Sequence, residues 1–458
     1  MKRFILLLLA GAFFLTGGVR LLALEEEENL KSEVEALRLE LAELREQVNQ
    51  DAEEKSEGAL IRMPGAERLR ISGEIRIREE YHRRLYTPFT PDGGESLDFA
   101  HMRTRLRFDV DVMKDIAAIV ELQDVRVLGE STVSDQEGVD LKRGEILLHN
   151  IFTEYLSMEM GRFVMAYGDQ RIIGALEWVD QGRTYDGIRM SYGPDDWYVD
   201  LFGIRLEDST VFDQDDVDFI GVYGGTRPEE DKLGLEGYAI LVRDQNNDFF
   251  VPVDNTKIYT LGIRAFGERD LIDYSGELAY QTGDVFDDDL EALAFAVKGG
   301  ITMEDKSWKP RIGVEVDYAS GDHRPGDGDL ETFQTLFPTN HMHYGYADLV
   351  GWSNMWDYSA GVSLEPNQDV GLYFAWHHFL LDDTDAGWIN AAGAFVRPGS
   401  ANASRHLGEE FDATLTWKPM KAFAMLFGWS HFMPGGFVDD TGRDQSADFL
   451  YAQARLLF

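Results

Sequence analysis

The feature that most restricts this chain is a period of two that begins near residue 69 and recurs as far as residue 458. In residues 69–81 one face carries Leu69, Ile71, Gly73, Ile75 and Ile77, and the other Arg70, Ser72, Glu74, Arg76 and Arg78. In residues 102–112 one face carries Met102, Thr104, Leu106, Phe108, Val110 and Val112, and the other Arg103, Arg105, Arg107, Asp109 and Asp111. Successive side chains of a strand point to opposite sides, so both segments read as strands with one apolar and one charged face. A soluble sandwich also alternates, but its polar face meets open water and rarely needs three arginines in line. A membrane barrel turns the apolar face to lipid and the polar face to a watery lumen. That choice sets the register of residues 102–112. The opposite phase would press three arginines against hydrocarbon at ~2–4 kcal/mol each near the midplane.

Similar segments follow, separated by turn signals, at residues 116–127, 187–193, 197–205, 233–243, 257–266, 274–282, 290–303, 310–318, 358–364, 370–380, 411–417 and 423–433. Weaker candidates lie at 146–157, 158–164 and 218–223. The expected fold class is an all-β transmembrane protein, an antiparallel outer-membrane β-barrel of about 18 strands. The last segment places Leu450, Ala452, Ala454, Leu456 and Phe458 on one face. An aromatic-ended strand of this kind resembles the assembly signal of outer-membrane proteins.

The start of the chain reads differently. Lys2 and Arg3 precede an apolar run from Phe4 to Leu15, and Arg20 interrupts it before the ~20 residues a spanning helix needs. Residues 1–23 are therefore expected to be a secretory signal peptide. Residues 24–50 are expected to form a coiled-coil helix in the periplasm. Val34, Leu41 and Val48 take the a positions, and Leu30, Leu37 and Leu44 the d positions. In a parallel pair Glu33 would face Arg38, and Glu40 would face Arg45, so self-association through residues 30–48 is an expectation. A lone charged spacer helix is the alternative. Residues 51–68 read as a polar linker, and residues 69–458 as the barrel.

No other stretch of 18 apolar residues occurs, which excludes a helical-bundle membrane protein. There are no cysteines, so disulfide frameworks and thiolate metal sites are excluded. The net charge of −40 makes nucleic acid an unlikely partner. The acids crowd loop-like segments at 207–218, 244–254, 284–289 and 322–329, while basic residues gather at 70–84 and 103–107.

Four strings then resemble the alginate export family. They are GRFVMAYGDQRIIGALEWVDQGRTYDGIR at 161–189, ASGDHRPGDG at 319–328 leading into TFQTLFPTNHMHYGYADLVGWSN at 332–354, ASRH at 403–406, and WSHFMPG at 429–435. The resemblance covers roughly residues 69–458. It implies an eighteen-stranded barrel with a basic lumen that conducts an anionic polysaccharide, with outer-membrane lipid as its surroundings. The coiled coil departs from the type exporter, and family identity does not name the solute.

The expected function is an outer-membrane channel for polar, anionic solutes or an anionic polysaccharide, not an enzyme, with no cofactor and no metal. An envelope-anchoring barrel acting through its coiled coil is the alternative, and an outer-membrane enzyme a remote one. Strand phase nominates Arg76, Arg78, Arg103, Arg105, Arg107, Arg126, Arg311 and Arg455 as a lumen pathway, because rings of arginine select anions. The resemblance alone adds Arg162, Arg171, Arg183 and Arg189, on a segment expected to fold partly into the lumen. A salt-bridged network that stiffens the wall is the competing reading, with Asp109, Asp111, Glu315 and Asp317 as partners. Residues 322–329 could hold Ca²⁺, but they lack the twelve-residue calcium-loop pattern, so a solvated turn is preferred. His341 and His343, with His323 nearby, are expected to be hydrogen-bonded loop residues. Ser404 and His406 stand two apart without a readable third triad member.

Overall fold

The computed structural model describes residues 66–84, 96–129, 138–207, 216–228, 232–244 and 256–458. The signal peptide, the coiled coil at 24–50 and nearly all of the linker lie outside the described residues. Eighteen long strands run in chain order: β1 (Arg68–Arg83), β2 (Ser96–Met113), β3 (Ile116–Val127), β4 (Asp140–Leu148), β5 (Leu156–Phe163), β6 (Tyr185–Tyr192), β7 (Trp197–Glu207), β8 (Val217–Thr226), β9 (Gly234–Asp244), β10 (Thr256–Arg269), β11 (Ile272–Val285), β12 (Asp288–Thr302), β13 (Arg311–Ala319), β14 (Met355–Asn367), β15 (Val370–Leu381), β16 (His406–Met420), β17 (Phe423–Pro434) and β18 (Ala447–Leu457). A two-residue strand, Asp329–Leu330, runs parallel beside β12.

Each long strand pairs antiparallel with the next, from Ile77↔Met102 between β1 and β2 to Phe427↔Ala452 between β17 and β18. β18 returns to β1 through Arg76↔Arg455, so no edge is left open. Phe458 closes the seam with a reciprocal backbone pair to Gly73, 2.7 and 3.0 Å long. A Cβ at Gly73 would lie 2.4 Å from the Phe458 ring, so the glycine makes room for that aromatic.

The expected segment at 146–157 straddles a turn. β4 ends at Leu148 and β5 starts at Leu156. Ile151 N donates to Leu156 O at 2.9 Å, and Asn150 and Phe152 adopt positive φ. The apolar residues Ile146–Leu148 and Ile151 keep an apolar tone across a chain reversal, which hides it from a periodicity count.

The pleat sorts the faces as the alternation predicts. Ile71, Ile77, Leu201, Ile220, Leu261, Ile263, Val314 and Phe374 are exposed on the outside, while Glu74, Arg76, Arg78, Arg103 and Arg105 are buried within. Tyr81, Trp376 and Trp429 stand among the exposed outer side chains toward the strand ends that carry the long loops, where aromatic girdles lie in this class of barrel.

The inner wall is not polar throughout. Between β6 and β12 it carries Tyr185, Phe202, Phe219, Tyr238, Val242 and Ile258, all buried. Two long connections fold inward to cover them: residues 164–184 between β5 and β6, and residues 320–354 between β13 and β14. They bring Met165, Ile173, Phe333, Phe337 and Trp352 into one apolar cluster with that wall. The connections also bond to each other, through Gly174 N to Phe337 O at 2.7 Å and Phe337 N to Ile172 O at 3.0 Å. Apolar burial thus fills one side of the lumen and pushes the open path toward β1–β4.

Candidate functional site

The path is built on alternate residues of β1 and β2. Arg76 and Arg78 of β1, and Arg103 and Arg105 of β2, point inward in a stair, joined by Lys142 of β4. All five reach the segment 177–181 of the first inward connection. Arg76 donates to Glu177 O at 2.9 Å, and Arg78 to Trp178 O at 2.8 Å. Arg103 donates to the carbonyls of Glu177, Val179 and Asp180 at 3.2–3.3 Å. Arg105 and Lys142 reach Gln181 O at 3.3 and 2.6 Å. Acids complete the set. Arg76 pairs with Asp180 at 2.5 Å, Arg103 with Glu74 at 2.6 Å, and Arg105 with Glu177 at 2.6 Å.

Two cavities meet at this segment. One, of about 1150 Å³, opens toward the long loops and is lined by Arg78, His101, Trp178, Asp180, His341 and Phe395, among others. The second, of about 440 Å³, lies toward the short turns and is lined by Glu74, Arg105, Arg107, Lys142, Glu177 and Arg455, among others. Trp178 lines the larger cavity, its ring stacked with the Arg78 guanidinium at 4.0 Å and the His341 ring at 3.9 Å.

The inward connections carry their own charges. Burial would raise the Asp180 carboxyl, but hydrogen bonds from His101 and Arg76 outweigh it and hold it far below the usual range. Asp169 is likewise lowered to about 2, with burial opposed by Lys298, Arg264 and Arg171. Arg171 is fully enclosed. Burial disfavours its charge, but Asp317 at 2.8 Å, Tyr344 at 2.6 Å and Glu315 in close contact hold it strongly protonated.

Of the twelve nominated arginines, ten face the lumen or lie on the inward connection. Besides the four of the stair, Arg107 pairs with Asp109 at 2.6 Å, Arg311 with Asp273 at 2.6 Å, and Arg455 with Glu74 at 2.5 Å. Arg189 pairs closely with Glu159. Arg183 donates to the carbonyls of Gly174 and Pro338 at 3.1 and 2.9 Å.

Two placements are corrected. Arg126 is the cross-strand partner of Met102, so its strand phase is that of the outer face, 2.6 Å from Asp124, although it also borders the larger cavity. Its phase follows Val120 and Leu122, so the β3 residues that face in are Glu121 and Gln123. Arg162 also points outward, to Asp186 at 2.7 Å, because Glu159 and Phe163 of β5 take the inner face. The string similarity carried no strand phase and could not show this. Sequence reasoning missed Lys142, Glu177 and Asp180. Glu177 and Asp180 lay within the first matching string, whereas Lys142 had no signal beyond its charge.

The histidines of the second connection are hydrogen-bonded. His341 pairs with Asp348 at 2.9 Å, and His343 contacts Asp169 O at 2.7 Å. Residues 322–329 close on themselves, with Arg324 N donating to Asp322 at 2.9 Å and Asp329 N to Asp327 at 3.1 Å.

A closed antiparallel barrel with a lipid-facing apolar surface, inward loops and a charged passage defines an outer-membrane protein of the porin class. Solved barrels agree in fold. Pseudomonas aeruginosa OccK11 (OpdR) superposes with a TM-score of 0.55 at 12% identity, covering 85% of this chain and 96% of its own. Acinetobacter baumannii OccAB3 gives 0.54 at 11%, covering 85% and 99%. OprD of Pseudomonas aeruginosa gives 0.54 at 9%, covering 85% and 94%. No curated protein sequence matches the chain. The model of the family described as alginate export matches residues 67–452, and the chain belongs to that family.

Proposed function

We propose that this outer-membrane channel passes polar anionic solutes, up to a single strand of an anionic polysaccharide, along the arginine stair. The observation that carries the reading is the placement of Arg76, Arg78, Arg103, Arg105 and Lys142 on one wall, between the two cavities. Their donors now bond the carbonyls of 177–181 and the carboxylates of Glu177 and Asp180. A solute carboxylate offers the same acceptor chemistry, and a guanidinium can bind it with two parallel bonds. The segment is then a surrogate ligand that an entering anion displaces.

The test is the reversal potential in a planar bilayer under a salt gradient. Replacing Arg103, Arg105 and Arg107 by Gln should shift selectivity toward cations while the folded barrel persists. Unchanged selectivity would reduce the arginines to a stiffening network, since each is already paired with a carboxylate.

A further inference from the structure

We propose that His378, His406 and Glu409 form a binding site for a divalent transition-metal ion of the zinc class, on the outer face of the barrel at its long-loop end. Among the described residues these three offer ligand atoms that all lie within 4.8 Å of one another. The strands bring them together in a way that alternation alone does not. His378 of β15 and Glu409 of β16 are direct cross-strand partners on the face that carries Phe374, Trp376 and Phe411. In unbroken alternation Leu407 would share the face of Glu409, and His406 would point into the barrel. A bulge intervenes, because Phe379 pairs with Gly408 but Leu380 pairs with His406. Leu407 is thereby fully buried, and His406 is turned beside His378, with ring centroids 4.9 Å apart. Bulges re-aim side chains in this manner. Gly408 is needed for it, since a Cβ there would lie 2.5 Å from the Phe432 ring.

The donor set suits the ion. Zinc binds imidazole nitrogen at ~2.0–2.1 Å and carboxylate oxygen at ~2.0–2.2 Å, so neighbouring ligand atoms in a tetrahedron stand about 3.3–3.5 Å apart. His378 Nδ1 and Glu409 Oε1 are already 3.4 Å apart, so His406 alone must close in. The His406 Nε2 atom is buried and has no hydrogen-bond partner in the protein. The Trp376 indole N–H donates to Glu409 Oε2 at 3.3 Å and orients the carboxylate, as outer partners of metal ligands do. A cross-strand ion pair would account for His378 and Glu409 by themselves. It does not account for a bulge that delivers a second imidazole with an unpaired nitrogen to the same place. With three protein ligands a fourth position stays open to water or to a headgroup oxygen. The site would tie together the two strand ends from which the connection 382–405 springs.

The experiment titrates untagged residues 24–458, folded in detergent, with zinc chloride against a chromogenic chelator. One Zn²⁺ per chain is expected, with affinity lowered at least tenfold in His378→Ala and in His406→Ala. His431→Ala should bind as wild type, because His431 lies outside the three-residue group and pairs with Asp448 at 2.8 Å. A wild type that takes up no zinc overturns the proposal, and so does wild-type affinity in the His378→Ala/His406→Ala double variant. If a variant loses the heat-modifiable gel shift of a folded barrel, the wild type decides. Zinc should then shield His378 and His406, but not His431, from diethyl pyrocarbonate, and equal labelling with and without zinc overturns the site.

Discussion

Removing the two carboxylates of the segment that separates the cavities, Glu177→Gln with Asp180→Asn, should unseat it and raise conductance. The two contribute unequally. Asp180 and Arg76 are 8% and 4% exposed at their side chains and 2.5 Å apart, so Asp180→Asn leaves a buried guanidinium without its counter-charge. Breaking a buried pair from one side costs ~3–5 kcal/mol, and an isosteric amide that still accepts a hydrogen bond recovers part of that. Glu177 is 44% exposed, so its pair with Arg105 is screened and adds ~1 kcal/mol or less. A net loss of ~3 kcal/mol changes the ratio of seated to unseated segment by about two orders of magnitude. The strand pairing that closes the barrel at β1, β2 and β18 does not involve residues 177–181, so the barrel itself should be unaffected. Single-channel recordings should show a new, larger conductance level, and reversal potentials should move toward anions because two negative charges are gone. Wild-type conductance together with wild-type selectivity would refute the view that these carboxylates hold the segment.

Acid should imitate that variant. The Asp180 carboxyl is lowered in the folded state, so its contribution is complete above the unfolded value near 4 and is lost as pH falls through the lower folded value. Conductance measured against pH should therefore be flat from neutrality to about pH 5 and rise only in stronger acid. Trp178→Ala removes the ring between Arg78 and His341, which should cost ~0.5–2 kcal/mol of cation–π contact and widen the passage, read as larger conductance and faster solute flux. Arg162→Gln should leave ion selectivity unchanged, because its side chain lies on the outer face; a shift comparable to that of the Arg103, Arg105 and Arg107 variant would place it in the path after all. Deleting residues 24–50 should leave the gel shift of the folded barrel intact, since closure starts at β1, and crosslinking should then report any loss of self-association.

What the sequence determined by itself is local and periodic. Alternation of Arg103, Arg105 and Arg107 with Met102, Leu106 and Phe108 requires a strand, and the cost of charge in hydrocarbon requires the arginines to face in. The same logic read nearly every barrel strand and the approximate strand number. It could have assigned Arg126 as well, since Val120, Leu122 and Arg126 share one parity. Tertiary structure decided what no period encodes. Residues 164–184 and 320–354 turn inward because the wall between β6 and β12 presents Phe219, Val242 and Ile258 to the lumen, and that wall takes shape only when the barrel closes. Asp180 and Arg76 meet across 104 residues of chain, and Arg171 and Asp317 meet across a comparable gap, so neither pairing leaves a sequence signal. The bulge that turns His406 outward depends on the register between two strands, and register is a property of the pair, not of either strand alone.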